Sequence, residues 1–195
     1  MFIQVIQARS TRPDEVRALT EEWNDLPDDD SGFLGATYGF TDDDEFIGVI
    51  RFESREKAMA NSARPETDAM AKRMAELMDG PPTFRDCDDV TEWMDGGSDD
   101  AGFVQILQGR TDNPDRLKEV MNEGIDELRQ NRPDIIGGTL ALEDDGTFTN
   151  TVAFTDEASA REGEQKDTTS DGEEFRTLMS DVVFLDLHHP WYSSP

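Results

Sequence analysis

An α+β protein made of two tandem copies of one β-α-β-β-α-β unit is what this sequence predicts, and three observations predict it. The phrase FIQVIQAR at residues 2–9 returns as FVQILQGR at residues 103–110, with Phe, Gln, Gln and Arg in the same slots 101 positions apart. A strand–acidic turn–strand block then repeats: FLGATYGFTDDDEFIGVIRFES from Phe33 lies over IIGGTLALEDDGTFTNTVAFTD from Ile135, now 102 positions apart, so one residue has entered a loop. Between and after these blocks apolar residues recur at helical spacing.

The elements follow in order. Residues 2–9 and 103–110 read as strands, with Phe2, Gln4, Ile6 and Ala8 on one face of the first and Ile3, Val5, Gln7 and Arg9 on the other. Pro13 and Pro114 open the next segments, suited to the first helical turn, where a missing N–H costs nothing. Val16, Leu19 and Trp23 then fall on one helical face in copy one. Leu117, Val120, Met121, Ile125 and Leu128 do so in copy two. The turns 42–44 (Asp-Asp-Asp) and 144–146 (Asp-Asp-Gly) carry hairpin chemistry. Ser54 and Asp156 stand where an N-cap belongs, before short helices from Arg55 and Glu157. NSARPE, residues 61–66, is a polar break between helices. A further helix carries Met70, Met74, Leu77 and Met78 in copy one; Phe175, Leu178 and Met179 mark its counterpart. TFRDC and VVFLDL close the units as strands. The expected domains are residues 1–90 for the first repeat, 91–102 for a linker rich in Gly and Asp, and 103–195 for the second repeat with its tail. Trp93 is expected to pin the linker to a neighbour.

Neither face of residues 2–9 is cleanly polar, so both are expected to be covered. Two fused copies would cover each other's open sheet faces, an intramolecular version of what homodimers do. The expected state is a pseudo-dimeric monomer, open to further oligomerisation.

Bulk composition excludes several function classes. The chain of 195 residues carries a formal charge of −27, spread over both copies. It offers no basic patch for phosphates, so neither nucleic acid nor an anionic membrane surface is an expected partner. The single Cys, Cys87, cannot form an internal disulfide and fits a reducing compartment. No apolar run spans a bilayer and no secretory leader is evident, so the expected location is the cytoplasm. Two adjacent histidines, His188 and His189, would point to opposite faces of an extended chain and would not chelate one ion, so no metal site is expected.

GFLGATYG (residues 32–39) and RFESREKAMANS (residues 51–62), on the second strand and across the third strand into its helix, give a resemblance. The chain resembles the dimeric α+β barrel superfamily, in particular its antibiotic-biosynthesis-monooxygenase-like branch, over its whole length as two ferredoxin-like copies. The resemblance implies an α+β fold of two tandem ferredoxin-like repeats forming an intramolecular barrel. It also implies one of two chemistries. Cofactor-independent oxidation of aromatic polyketides is associated with a third-strand Asn, a Trp four residues on and a Tyr on the next helix. Those positions hold Gly48, Phe52 and Ala58 in copy one, and Asn150, Phe154 and Ala160 in copy two. Oxidative haem breakdown is associated with a helix His, but Asn61 or Ser62 and Gly163 stand there.

The function expected is therefore a monooxygenase-like or isomerase reaction on a small aromatic or polycyclic molecule, with no cofactor. The alternative is a non-catalytic ligand-binding or structural protein whose active-site positions have decayed. The candidate catalytic residues are Arg51, Asn61 and Asn150. Trp23, Tyr38 and Phe52 are candidate apolar walls. Gln4 and Gln105 either satisfy polar groups of the sheets or line the polar end of a cavity. An arginine such as Arg51 on a central strand could hold a carboxylate or enolate; a salt-bridged role competes.

Overall fold

The computed structural model describes residues 1–24, 31–94, 96–165 and 170–195. In chain order the elements are β1 (Phe2–Arg9), α1 (Pro13–Trp23), β2 (Phe33–Phe40), β3 (Glu45–Phe52), α2 (Arg55–Ser62), α3 (Pro65–Leu77), β4 (Thr83–Cys87) and β5 (Asp89–Met94). Then follow β6 (Phe103–Arg110), α4 (Pro114–Glu123), α5 (Ile125–Asn131), β7 (Ile135–Leu142), β8 (Thr147–Phe154), α6 (Glu157–Glu164), α7 (Ser170–Thr177), β9 (Ser180–Leu187) and β10 (Trp191–Ser193). The doubled ferredoxin-like order predicted from the repeats is present.

The caps that sequence chemistry demanded are in place. Pro13, Pro65 and Pro114 each open a helix. The Ser54 side chain accepts from the Lys57 N–H, and Asp156 accepts from Ser159 N–H, so each satisfies an orphan donor of its helix. Asp44 and Gly146 sit at φ 60° and 83° in the two hairpin turns. Each hairpin also bulges at its far end, between Phe33 and Gly35 in one copy and between Ile135 and Gly137 in the other.

The chain divides into two compact units, Met1–Asp88 with Pro190–Pro195, and Asp89–His189. Each holds one antiparallel five-stranded sheet, of order β10-β2-β3-β1-β4 in the first and β5-β7-β8-β6-β9 in the second. The fifth strand is the departure from expectation. Residues 91–102 are not linker throughout: β5 begins at Asp89 and pairs with β7, in the sheet of the second unit. The tail behaves reciprocally, with Trp191–Ser193 pairing with β2 of the first. Val90 and Glu92 alternate with Thr91 and Trp93 as a strand should, but the Gly- and Asp-rich residues that follow outweighed so short a signal in the sequence. Trp93 does pin the segment, lying over Gly138, its partner in register.

Each unit has its own core. Phe2 and Phe103, the matching first residues of the repeated phrase, are 1% and 0% exposed, a burial that contributes about 1.5–3 kcal/mol per side chain. Phe2 packs with Phe52 and Ala58; Phe103 packs with Phe154 and Ala160. Val5 and Ile3, on alternate faces from Phe2 and Ile6, are buried as well, so β1 is covered on both sides. No helix among the described residues is long and apolar enough to cross a membrane.

Candidate ligand cavity of the second unit

A cavity of about 940 Å³ lies wholly within the second unit. Its sheet wall is built from alternating residues of one face: Gln105 and Leu107 of β6, Asn150, Val152 and Phe154 of β8, and Trp93 of β5. The opposite wall is helical, with Val120 and Met121 from α4, Leu128 from α5, Arg161 and Glu164 from α6, and Phe175 from α7. Gly124, the junction of α4 and α5, also lines it. This is the position matching Trp23 of copy one, so the wall loses an indole where the helix breaks.

Asn150 is the polar centre of the sheet wall. It is 5% exposed and carries one side-chain hydrogen bond: Trp93 Nε1–H donates to its Oδ1 at 3.1 Å. An indole N–H can only donate, so the amide orientation is fixed, with oxygen towards Trp93. The Asn150 NH₂ has no partner among the described residues and is left to donate into the cavity. Gly138 makes the pairing possible. A Cβ there would stand 2.1 Å from Thr151 O and 2.5 Å from the Trp93 ring.

A second polar group rims the same cavity. Gln105 Nε2 donates to Asp186 Oδ1 at 2.9 Å and to Glu164 Oε1 at 3.3 Å. The Arg161 guanidinium pairs with Asp186, with Glu164 at 3.1 Å and with Glu157 at 3.3 Å, and lies 5.1 Å over the Phe103 ring. Hydrogen bonding to Asp186, above all, pushes the Arg161 pKa further up. Beyond it, His188 Nδ1 meets Glu157 Oε2 at 2.7 Å, and that contact holds the Glu157 carboxyl below its ordinary range. Arg132, at the third corner, is 6% exposed and grips Asp134 with two nitrogens, at 3.1 and 2.8 Å. Among the described residues no group of three or more His, Cys, Asp or Glu side chains could hold a metal ion.

Of the candidates read from the sequence, the cavity brings together Asn150 and Gln105. The others lie in the first unit. Gln4 donates to Asp86 at 2.9 Å, the register equivalent of Gln105 on Asp186. Gln4 and Gln105 thus both find carboxylates on the adjacent strand. Arg51 is partly exposed and donates to Thr37 Oγ1 at 3.1 Å. Asn61 accepts from Arg64 and Thr67, at 3.4 and 3.5 Å, and tethers the α2–α3 corner. Phe52 is core, in edge contact with Phe33 at 5.9 Å. Trp23 ends α1 and is partly exposed. Tyr38 is stacked against both Phe46 and Trp191, and burial pushes its pKa up to about 12. Sequence reasoning missed Trp93, Arg132 and Arg161. It sought the tryptophan four residues beyond Asn150, where Phe154 stands; the indole arrives instead from the strand after the other repeat. Trp93 had one legible signal, a lone aromatic at an alternating position before a glycine-rich stretch.

No protein-family model matches the sequence, and no curated protein matches it. Solved structures do. A candidate monooxygenase from Fusobacterium nucleatum is similar at 11% identity and a TM-score of 0.78, over 99% of this chain and 94% of that one. A candidate monooxygenase from Lactobacillus acidophilus is similar at 9% identity and a TM-score of 0.74, over 99% and 96%. An anthrone oxidase-like protein is similar at 11% identity and a TM-score of 0.64, over 100% and 94%. At such identities the likeness is one of fold. What the chain shares with them is a fold of two tandem ferredoxin-like repeats, as the repeats and the strand orders already indicate.

Proposed function

We propose that the second unit binds a small, electron-rich aromatic molecule in its cavity and oxidises it with dioxygen directly. The observation that carries the reading is the Trp93–Asn150 pair on the wall of an otherwise largely apolar space. An acidic hydroxyaromatic or anthrone gains reactivity towards dioxygen when it becomes an enolate. The free amide N–H₂ of Asn150 is suited to hold the developing oxyanion, because its dipole is already oriented by Trp93 and needs no rearrangement. Apolar neighbours such as Leu107, Val152 and Met121 lower the local polarity around that bond once a ligand is seated. For a benzylic CH₂ the balance is CH₂ + O₂ → C=O + H₂O, with the carbon losing four electrons and dioxygen accepting them. The reading retains Asn150 and Gln105 and assigns no role to Arg51 or Asn61. A cytoplasmic setting accords with the buried Cys87, which is in no disulfide.

One observation favours the non-catalytic reading: Asp186 and Glu164 are both held by Arg161, leaving neither as a ready base. Oxygen uptake separates the two. With 1,8-dihydroxyanthrone as probe, the wild type consumes dioxygen and forms quinone well above the spontaneous rate. Asn150→Ala falls to that rate while melting within a few degrees of the wild type. Binding without turnover in the wild type supports a carrier. No binding of any aromatic probe sinks both readings.

A further inference from the structure

The cavity has a second donor, far from Asn150, that the proposed oxidation does not use. Arg132 is more than nine-tenths buried, yet its guanidinium is only half engaged. Nε and Nη2 hold the Asp134 carboxylate, and Nη2 also reaches Ala160 O at 3.4 Å. The same edge is sealed by α6, because a Cβ on Gly163 would lie 2.1 Å from Arg132 Nε. Nη1 has no partner among the described residues, and the cavity is the open space that the side chain lines. Nη1 is therefore open to that space, and an unengaged guanidinium edge on a cavity wall is a ready site for an anionic ligand atom.

The place of this donor fixes the shape of what it would bind. Arg132 lies 5.8 Å over the ring of Phe154. Phe154 and Asn150 share one face of β8 with Val152 between them, a separation of about 13 Å at the rise of a strand. The two unfilled donors therefore stand at opposite ends of a flat apolar floor. The walls also carry three guanidiniums, of Arg132, Arg161 and Arg176, against three carboxylates, of Glu127, Glu164 and Asp186. The wall itself thus adds no net negative charge to the −27 of the chain.

We propose that the cavity is built for an elongated aromatic anion, its reacting keto or phenolic oxygen at Asn150 and a carboxylate or second phenolate at the far end on Arg132 Nη1. This rests on the aromatic-ligand reading above and names the ligand class for it. Charge-assisted bonding to a guanidinium discriminates between an anion and its neutral isostere. The test compares anthracene-2-carboxylate with anthracene-2-carboxamide by quenching of tryptophan fluorescence and by calorimetry. The wild type should bind the carboxylate at least about tenfold more tightly. In Arg132→Gln the two affinities should converge to within about twofold, with the carboxamide unaffected. Because Arg132→Gln leaves Asp134 buried and unpaired, Arg132→Met with Asp134→Leu, which removes both charges together, is tested beside it and must show the same convergence. Equal binding of the two probes by the wild type, or a preference that survives in the double variant, overturns the proposal while leaving the oxidation of dihydroxyanthrone standing. Failure of the wild type to bind either probe overturns the cavity reading along with it.

Discussion

The two units can be compared position by position where the fifth strand meets its sheet. In the first, Ser193 faces Ala36 and Trp191 faces Tyr38, which in turn faces Gly48. In the second, Trp93 faces Gly138, Thr91 faces Leu140, and Leu140 faces Asn150. The bulk has been dealt differently across the same frame. In the first unit Tyr38, Phe40, Phe46 and Trp191 form one aromatic stack with ring centroids 5.5–6.2 Å apart, and the Trp191 indole donates to Thr20 Oγ1 of α1 at 2.8 Å. Its tryptophan is tied to the helix and packed into that stack. In the second unit the tryptophan sits one pleat along and is tied to the sheet through Asn150. What differs is the direction in which one indole N–H points: to a helix in the first unit, and to the sheet wall of the cavity in the second.

Transplanting residues between the units should break this contrast. Trp93→Ser, which writes the residue of the first unit into the second, should have the largest effect. It removes a buried indole, at a cost of about 3–5 kcal/mol, and frees Asn150 to turn. Urea unfolding should show the loss, and aromatic-probe binding should weaken even in the folded fraction. Next comes Gly138→Ala, matching Ala36. The new methyl collides with Thr151 O and the Trp93 ring, which should cost about 1–3 kcal/mol. The reverse change, Ala36→Gly, should cost only about 0.5–1 kcal/mol. Equal costs for the two substitutions would mean that Gly138 is not there for Trp93.

The smallest expected effect sharpens the comparison through pH. The caps of α2 and α6 are Ser54 and Asp156, and only the second titrates. The Ser159 backbone N–H, chiefly, holds the Asp156 carboxyl below its ordinary value of 3.8. In the turn of the same unit, the Thr147 backbone N–H lowers Asp145 to about 2. Both folded values lie below the unfolded one. Their stabilisation is complete above about pH 5 and is lost as pH falls from near 4 towards 2. Acid unfolding followed by circular dichroism should therefore become shallower over that window in Asp156→Ser, which installs the neutral cap. An unchanged acid profile would deny Asp156 a share in it.

The repeated phrase, the prolines at helix starts, the acidic turns and the caps were all legible because each depends on neighbours in sequence. Asn150 was legible because a strand position relative to a known pattern is also local. Trp93 and Arg132 were not. The Trp93–Asn150 bond spans 57 positions and two strands that are not adjacent in the sheet. Arg132 sits in a stretch, Asn-Arg-Pro-Asp, whose composition reads as the end of a helix and gives no hint that a guanidinium turns inward. Gln4 and Gln105 were recognised as unusual, but their acceptors, Asp86 and Asp186, became apparent only with the register of β4 and β9.

The exchange of fifth strands has a consequence for how the molecule comes into being on the ribosome. By the time residue 88 has been translated, every other part of the first unit has been made, yet its sheet still lacks the segment carrying Trp191. About a hundred further residues must be polymerised before Tyr38 acquires its stacking neighbour. The amino-terminal unit is thus begun first and finished last, so a nascent chain halted midway exposes an uncapped β2 edge. Premature termination should for that reason damage the unit that was synthesised earliest.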